Sequence, residues 1–177
     1  MKDVRKARRE EVGFMQGRGI WEERSVEECW RKTGKAPISV RWVDTNKGTQ
    51  LLPDVRSRLV ARDFKNKKAK GEEGGREKED GLFASTPPLE ALRMLCSKVA
   101  TKSKRGKKRK MMFLDAKKAH LNPKCHEEVY IELPEEAGVG PGVCGKLIFW
   151  IYGMRQAAQT WESMYASKME EVGFVRG

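Results

Sequence analysis

The pattern that most limits what this chain can fold into is a pair of short alternating segments. Ile38, Val40 and Trp42 recur at every second residue, and so do Val55, Ser57, Leu59 and Ala61, with the turn-forming Asn46-Lys47-Gly48 and Pro53 between them. A period of two sends one set of side chains to a buried face and the other to water. Two such runs joined by a turn predict an antiparallel hairpin. On the second run Arg56, Arg58 and Arg62 share the face away from Leu59, interrupted only by Val60, while Arg41 lies on the partner run. A row of guanidinium groups reads in two ways: as a solvated strand face, or as a surface for phosphate, whose oxygens accept forked hydrogen bonds from arginine.

Around the hairpin the period changes. From Val4 to Met15 the apolar residues Ala7, Val12, Phe14 and Met15 follow a ragged helical spacing, with Glu11 intervening, that stops at Gly17 and Gly19. Ser25 followed three residues on by Glu28 predicts a capped helix of two turns at most, carrying Val26, Cys29 and Trp30 and ended by Gly34. Thr86 and Pro87 are expected to start a helix whose Leu89, Leu92, Leu95, Cys96 and Val99 make a buried stripe. Met111-Met112-Phe113-Leu114 suits a buried strand that ends in Asp115. Val129, Ile131 and Leu133 alternate in a strand closed by Pro134, and the apolar segment from Val143 to Ile151 gives another. Ala158, Trp161, Tyr165, Met169 and Val172 trace a last helix stopped at Gly173, with Trp161 and Tyr165 expected in the core. Strands and helices so mixed, and joined by short hairpins, place the chain in the α+β class, an antiparallel sheet with packed helices.

Charge narrows the partners. The 177 residues carry 37 Lys plus Arg against 25 Asp plus Glu, a formal net charge of +12. Seven of the positive charges fall within the nine residues KSKRGKKRK from Lys102 to Lys110. Such a run repels itself and offers nothing to a core, so it is expected as a solvated loop. Whether it only solubilises, contacts nucleic-acid phosphates or serves as a nuclear import signal stays open. A second stretch, NKKAKGEEGGREKED over residues 66–80, mixes both signs around glycines and reads as a flexible insertion. The four cysteines are too far apart for a metal finger and read as free thiols, most of them buried. The apolar stretch from Leu147 to Met154 is far short of the ~20 residues of a membrane helix, and the N-terminus lacks an apolar signal core. The expectation is a soluble intracellular chain, cytoplasmic or nuclear, with no membrane partner.

The segments VRWVDTNKG, RSRLVARDF, LDAKKAHL, EEVYIELP, KLIFWIYGMRQAAQTWESM and EEVGF stand in the order of the landmarks of the copia-type retrotransposon reverse transcriptase domain. From about Pro37 to Phe174 the chain resembles that domain. The resemblance implies a helical lead-in over residues 1–36. It implies the fingers and first part of the palm over 37–177, with flexible charged insertions at 66–80 and 102–110. It further implies an RNA-directed DNA polymerase family member that works with Mg²⁺ or Mn²⁺. The implied partners are an RNA or DNA template-primer, a dNTP and the remainder of a Pol polyprotein.

Residue by residue, the resemblance makes Asp115 the first catalytic carboxylate and a metal ligand. It assigns the turn from Ala116 to His120 to the incoming triphosphate, with Lys117, Lys118 and His120 as nucleotide-binding residues. Lys118 stands where the family usually has Asn, and His120 where it has the aromatic gate against the ribose 2′-hydroxyl. Arg56, Arg58 and Arg62 match the basic fingers strand over triphosphate or template. Arg155 and Gln156, in Tyr152-Gly153-Met154-Arg155-Gln156, match a motif lining the nucleotide and template site, and Ala158 stands where the family usually has Pro. The family completes its metal site with an adjacent Asp pair on a later hairpin, and no Asp follows Asp115 here. The chain is therefore expected to be truncated before the second catalytic hairpin and inactive by itself. The alternatives are a noncatalytic basic nucleic-acid-binding module or the remnant of a decayed element.

Overall fold

A computed structural model describes residues 2–63, 88–102, 106 and 108–175. In chain order the elements are α1 (Lys2–Gly17), β1 (Trp21–Ser25), α2 (Val26–Thr33), β2 (Val40–Asn46), β3 (Val55–Ala61), α3 (Leu89–Ala100), β4 (Tyr130–Glu132), β5 (Val143–Leu147) and α4 (Arg155–Glu171). Single 3₁₀ turns lie at Ala119–Leu121 and Glu135–Ala137. The strands form two antiparallel sheets, β2-β3 and β1-β5-β4, so the chain is α+β as its patterning implied.

The hairpin follows the register that alternation demanded. Trp42 pairs with Leu59, Val43 with Arg58 and Thr45 with Arg56. Paired residues share a face, so Arg56 and Arg58 lie on one side, and Ser57, Leu59 and Ala61 are buried on the other. Against that buried side packs α1, whose Val12 and Met15 join Ile20, Leu59, Ile131, Leu147 and Ile151 in the main core. The two sheets are tied by backbone bonds: the Ile38 N–H donates to Tyr130 O at 2.8 Å, and the Glu132 N–H to Ile38 O at 2.9 Å. On the far side of the hairpin the Ala61 N–H donates to Tyr152 O at 2.8 Å.

The start and end of α2 are as its sequence predicts. The Glu28 N–H donates to Ser25 Oγ at 3.1 Å, and Gly34, at φ 66°, closes the helix by donating to Trp30 O at 2.8 Å. A polar clamp then fixes α1 to the hairpin. Arg8 Nη2 lies 2.7 Å from Asp44 Oδ2, and the Ser57 hydroxyl donates to Asp44 Oδ1 at 2.7 Å. The guanidinium also covers the Trp42 ring, 5.3 Å from its centroid. The Arg8 hydrogen bond, aided by Ser57 and opposed by partial burial, holds the Asp44 carboxyl below the ordinary carboxylate range. A depressed folded-state pKa stabilises the fold above the unfolded value near 4, and that contribution is lost as pH falls through the folded value. Asp44→Asn is therefore expected to flatten the acid limb of stability, measured as the urea midpoint from about pH 7 down to about pH 3. An unchanged acid limb would mean that the clamp contributes nothing to the linkage.

Four expectations are corrected. The helix α3 has no buried residue: Leu89, Leu92, Leu95 and Cys96 are exposed. No described element covers this helix, and an apolar stripe is buried only when a surface faces it. Its expected start at Thr86 and Pro87 lies outside the described residues, as does the insertion at 66–80. The run Met111 to Leu114 is not a strand, because no described strand runs beside it to accept a backbone ladder, and Met112, Phe113 and Leu114 are exposed. The helix α4 buries only Ala157. Trp161 is half-buried and Tyr165 exposed, their rings stacked on each other at 5.8 Å between centroids instead of entering the core. Finally β5 ends at Leu147, and the chain on to Ile151 leaves the sheet although Trp150 and Ile151 are buried.

The described part of the basic run is exposed loop, yet Arg109 has structural work there. Its guanidinium donates to the Lys98 and Thr101 carbonyls at 2.7 and 3.3 Å, satisfying the open C-terminal end of α3. Three of the four thiols are buried and all are free, with only Cys96 exposed. No helix among the described residues is long and apolar enough to cross a membrane.

Candidate nucleotide and nucleic-acid cleft

A cleft of about 800 Å³ opens between α1, the arginine-bearing end of the hairpin and the turn that follows Asp115. The hairpin contributes Arg56 and Arg58. Arg56 is exposed, 3.4 Å from Asp54, while Arg58 is half-buried with its guanidinium 5.9 Å from the Tyr152 ring centroid. The turn contributes Asp115, Lys117 and Lys118, of which the first two are exposed.

The turn is held from α1. Lys118 opens the 3₁₀ turn in the left-handed region at φ 50°, and its carbonyl accepts the Leu121 N–H at 2.9 Å. Arg18 donates to the Leu121 carbonyl at 3.3 Å and to Asn122 Oδ1 at 2.8 Å. The Lys118 ammonium lies 2.6 Å from Glu11 Oε2. Tyr152 closes the back of the cleft. Burial, and after it the charge of Glu11, pushes its phenol pKa up, against the opposing pull of Arg58.

Of the residues expected at the site, Arg56, Arg58, Asp115, Lys117 and Lys118 line this one cleft, and Arg62, His120, Arg155 and Gln156 do not. Arg62 lies just past β3 and is exposed. His120 sits behind the wall, edge-on to Tyr152 with ring centroids 5.5 Å apart. Arg155 begins α4, where its N–H and Nε both donate to Asp63 Oδ2, at 3.1 and 3.3 Å. That carboxylate caps a helix whose own N-cap, Met154, has no side chain to do so. Gln156 follows on the same helix, its carbonyl accepting from the Thr160 hydroxyl at 2.8 Å.

Two cleft residues, Glu11 and Tyr152, have no individual role in the motifs of the sequence. Glu11 nevertheless carries a signal: it falls four residues from both Ala7 and Met15, on the buried face of α1, where a carboxylate requires a cation.

The donor set limits any metal. Three carboxylates line the cleft, Glu10, Glu11 and Asp115, and Glu11 is engaged by Lys118. Among the described residues no three His, Cys, Asp or Glu side chains come close enough to hold an ion. A pair of divalent ions takes several hard oxygen ligands. With Glu11 held by Lys118 and Glu10 lying 3.9 Å from the Lys6 ammonium, the described lining leaves Asp115 as the carboxylate with no cation beside it and does not fit such a pair.

The family model for reverse transcriptase (RNA-dependent DNA polymerase) matches residues 28–177. The chain belongs to this family. A curated relative, the retrovirus-related Pol polyprotein from transposon TNT 1-94 of Nicotiana tabacum, is 28% identical over 176 residues. That alignment covers 97% of this chain and 12% of the polyprotein. No solved structure matches. The family match and the ordered landmarks agree in placing the chain within a reverse transcriptase domain of the copia type. The family match begins inside α2, and the alignment to the tobacco polyprotein covers nearly the whole chain.

Proposed function

We propose that the cleft is the phosphate-binding part of a reverse transcriptase active site. Arg56, Arg58 and Lys117 meet the phosphates of a dNTP or of the template-primer, and Asp115 is the first catalytic carboxylate. The observation that carries this reading is the convergence of two distant segments. The arginines of β3 and the Asp115 to Lys118 turn, far apart in sequence, line one cavity. Among the described residues neither Arg58 nor Lys117 is in an ion pair, so both guanidinium and ammonium are available to a phosphate. Arg62, His120, Arg155 and Gln156 then act at the margins: Arg62 toward a nucleic-acid backbone leaving the cleft, His120 and the Arg155-Gln156 pair by supporting Tyr152 and the start of α4. Asp115 supplies one oxygen ligand to a divalent ion, fewer than the paired-ion chemistry of the family requires.

Binding by this route releases counterions from the nucleic acid, and each phosphate contacted on a single strand adds about 0.7 to the slope of log K against log salt. Anisotropy of a fluorescent oligothymidylate, titrated over a range of NaCl, measures that slope. In the double variant Arg56→Ala/Arg58→Ala each missing guanidinium leaves one phosphate unneutralised, so the slope is expected to fall by about 1.4 with unchanged circular dichroism. A folded double variant with the wild-type slope would refute the proposal.

A further inference from the structure

Two adjacent lysines on the cleft wall have opposite surroundings. Lys117 is exposed and has no ion pair among the described residues. Lys118 is enclosed. Its Nζ lies 2.6 Å from Oε2 of Glu11, whose side chain is only 9% exposed, and the same ammonium sits 3.6 Å from the centroid of the Phe14 ring. Glu11 and Phe14 are three residues apart on α1, which brings both to one point on the helix surface. A cation held between a carboxylate and an aromatic face has its charge answered inside the protein.

Backbone geometry gives the pair a second consequence. Lys118 is the sole non-glycine residue with positive φ among those described. An L residue stays in that region only where its surroundings fix it. Beyond the turn's own hydrogen bonds from Leu121 and Asn122, the fixing contacts come from one helix and the residue that follows it, Glu11 on the side chain of Lys118 and Arg18 on Leu121 and Asn122. Asp115 and Lys117, which precede this point, are thereby aimed at the cleft from α1.

We propose that Glu11 is a counter-ion that sets the cleft's phosphate-facing charge. It withdraws Lys118 from anion binding and makes it a positioning residue for the Asp115 to Lys117 turn, leaving Arg56, Arg58 and Lys117 to meet the polyanion. The inference rests on the phosphate-binding reading above. It differs from it in assigning the two lysines different roles, where the family resemblance gives both to the nucleotide.

The salt slope for oligothymidylate separates these roles, because a pair that merely stabilises the fold has no influence on it. Glu11→Gln keeps the size of the side chain and releases the ammonium, whose stem reaches the cleft. The slope is expected to rise by about 0.7, so that a fourfold increase in salt weakens binding by an additional factor of about 2.6. Glu11→Gln/Lys118→Gln removes both charges together and is expected to return the slope to the wild-type value.

A folded Glu11→Gln variant with an unchanged or lower slope would overturn the proposal. So would a double variant whose slope falls below wild type by about 0.7, since Lys118 would then already contact phosphate in the native protein. If the single variant does not fold, the double variant decides between these outcomes on its own. Absence of wild-type binding at low salt would instead defeat the phosphate-binding reading itself, and this inference with it.

Discussion

Gly153→Ala is expected to lower the folding stability of the chain by about 3 kcal/mol or more, read from the urea midpoint at constant m-value. Two separate costs combine. Gly153 has φ 84°, where an L residue loses roughly 1–2 kcal/mol. An added Cβ would also stand 2.2 Å from the Ala61 carbonyl oxygen and 2.5 Å from Val60 Cγ1. A clash with a backbone oxygen is not relieved by changing a rotamer. Tyr152 would have to move off the end of β3, losing the Ala61 N–H to Tyr152 O bond, which contributes about 1 kcal/mol, together with some of the packing around Met154. Gly138→Ala isolates the first cost. That glycine has φ 71° and nothing within 4 Å of the added Cβ, so a loss of only about 1 kcal/mol is expected. If the two variants were equally stable, the contact between Tyr152 and the hairpin would not be tight in solution.

Because Tyr152 forms the back of the cleft and faces Arg58, the same junction couples folding to function. The hairpin end, the Tyr152-Gly153 strap and the Asp63-capped start of α4 meet within a few residues. Loosening the strap frees Arg58 from its aromatic neighbour, so Gly153→Ala is also expected to weaken oligothymidylate binding at fixed salt. Gly138→Ala, remote from the cleft lining, leaves binding as it is.

What can be read from the sequence divides by the range of the interaction. The hairpin with its arginine face, the Ser25 cap and the Gly34 stop are written within a few residues of where they act, and the structure has them where alternation and capping chemistry predict. The β1 strand is not legible in this way. Its Trp-Glu-Glu-Arg-Ser sequence buries only Trp21, and it becomes a strand because β5 offers it a partner more than a hundred residues later. The apolar spacing of α3, α4 and the Met111 to Leu114 run overstates their burial for the converse reason: spacing records a capacity for burial, and realising it takes a second surface. The cleft shows the same division. Arg56, Arg58, Asp115 and Lys117 sit in local motifs, whereas the Glu11 to Lys118 pair spans 107 positions. Its only local trace is a carboxylate on an apolar helix face next to a lysine that departs from the family pattern.

This distinction between apolar residues with and without a facing surface yields the second large effect. Ile131→Ala is expected to cost about 2–5 kcal/mol, and Phe113→Ala no more than about 0.5 kcal/mol, although phenylalanine is the larger side chain and sits in the more apolar run. Ile131 is fully buried in β4, bridged to Ile38 and packed in the main core, so its truncation leaves a cavity. Phe113 is 76% exposed, and its truncation removes surface that is already wet. Urea titrations of both variants at two protein concentrations test the pair. If Phe113→Ala cost as much as Ile131→Ala at both concentrations, the run would be buried within the monomer, in the strand its sequence suggests. If the cost appeared only at the higher concentration, the covering surface would be a second molecule. A small and concentration-independent loss leaves Met112, Phe113 and Leu114 in water, so that the approach to Asp115 is anchored on its C-terminal side alone, through Lys118 and the residues of α1 that hold it.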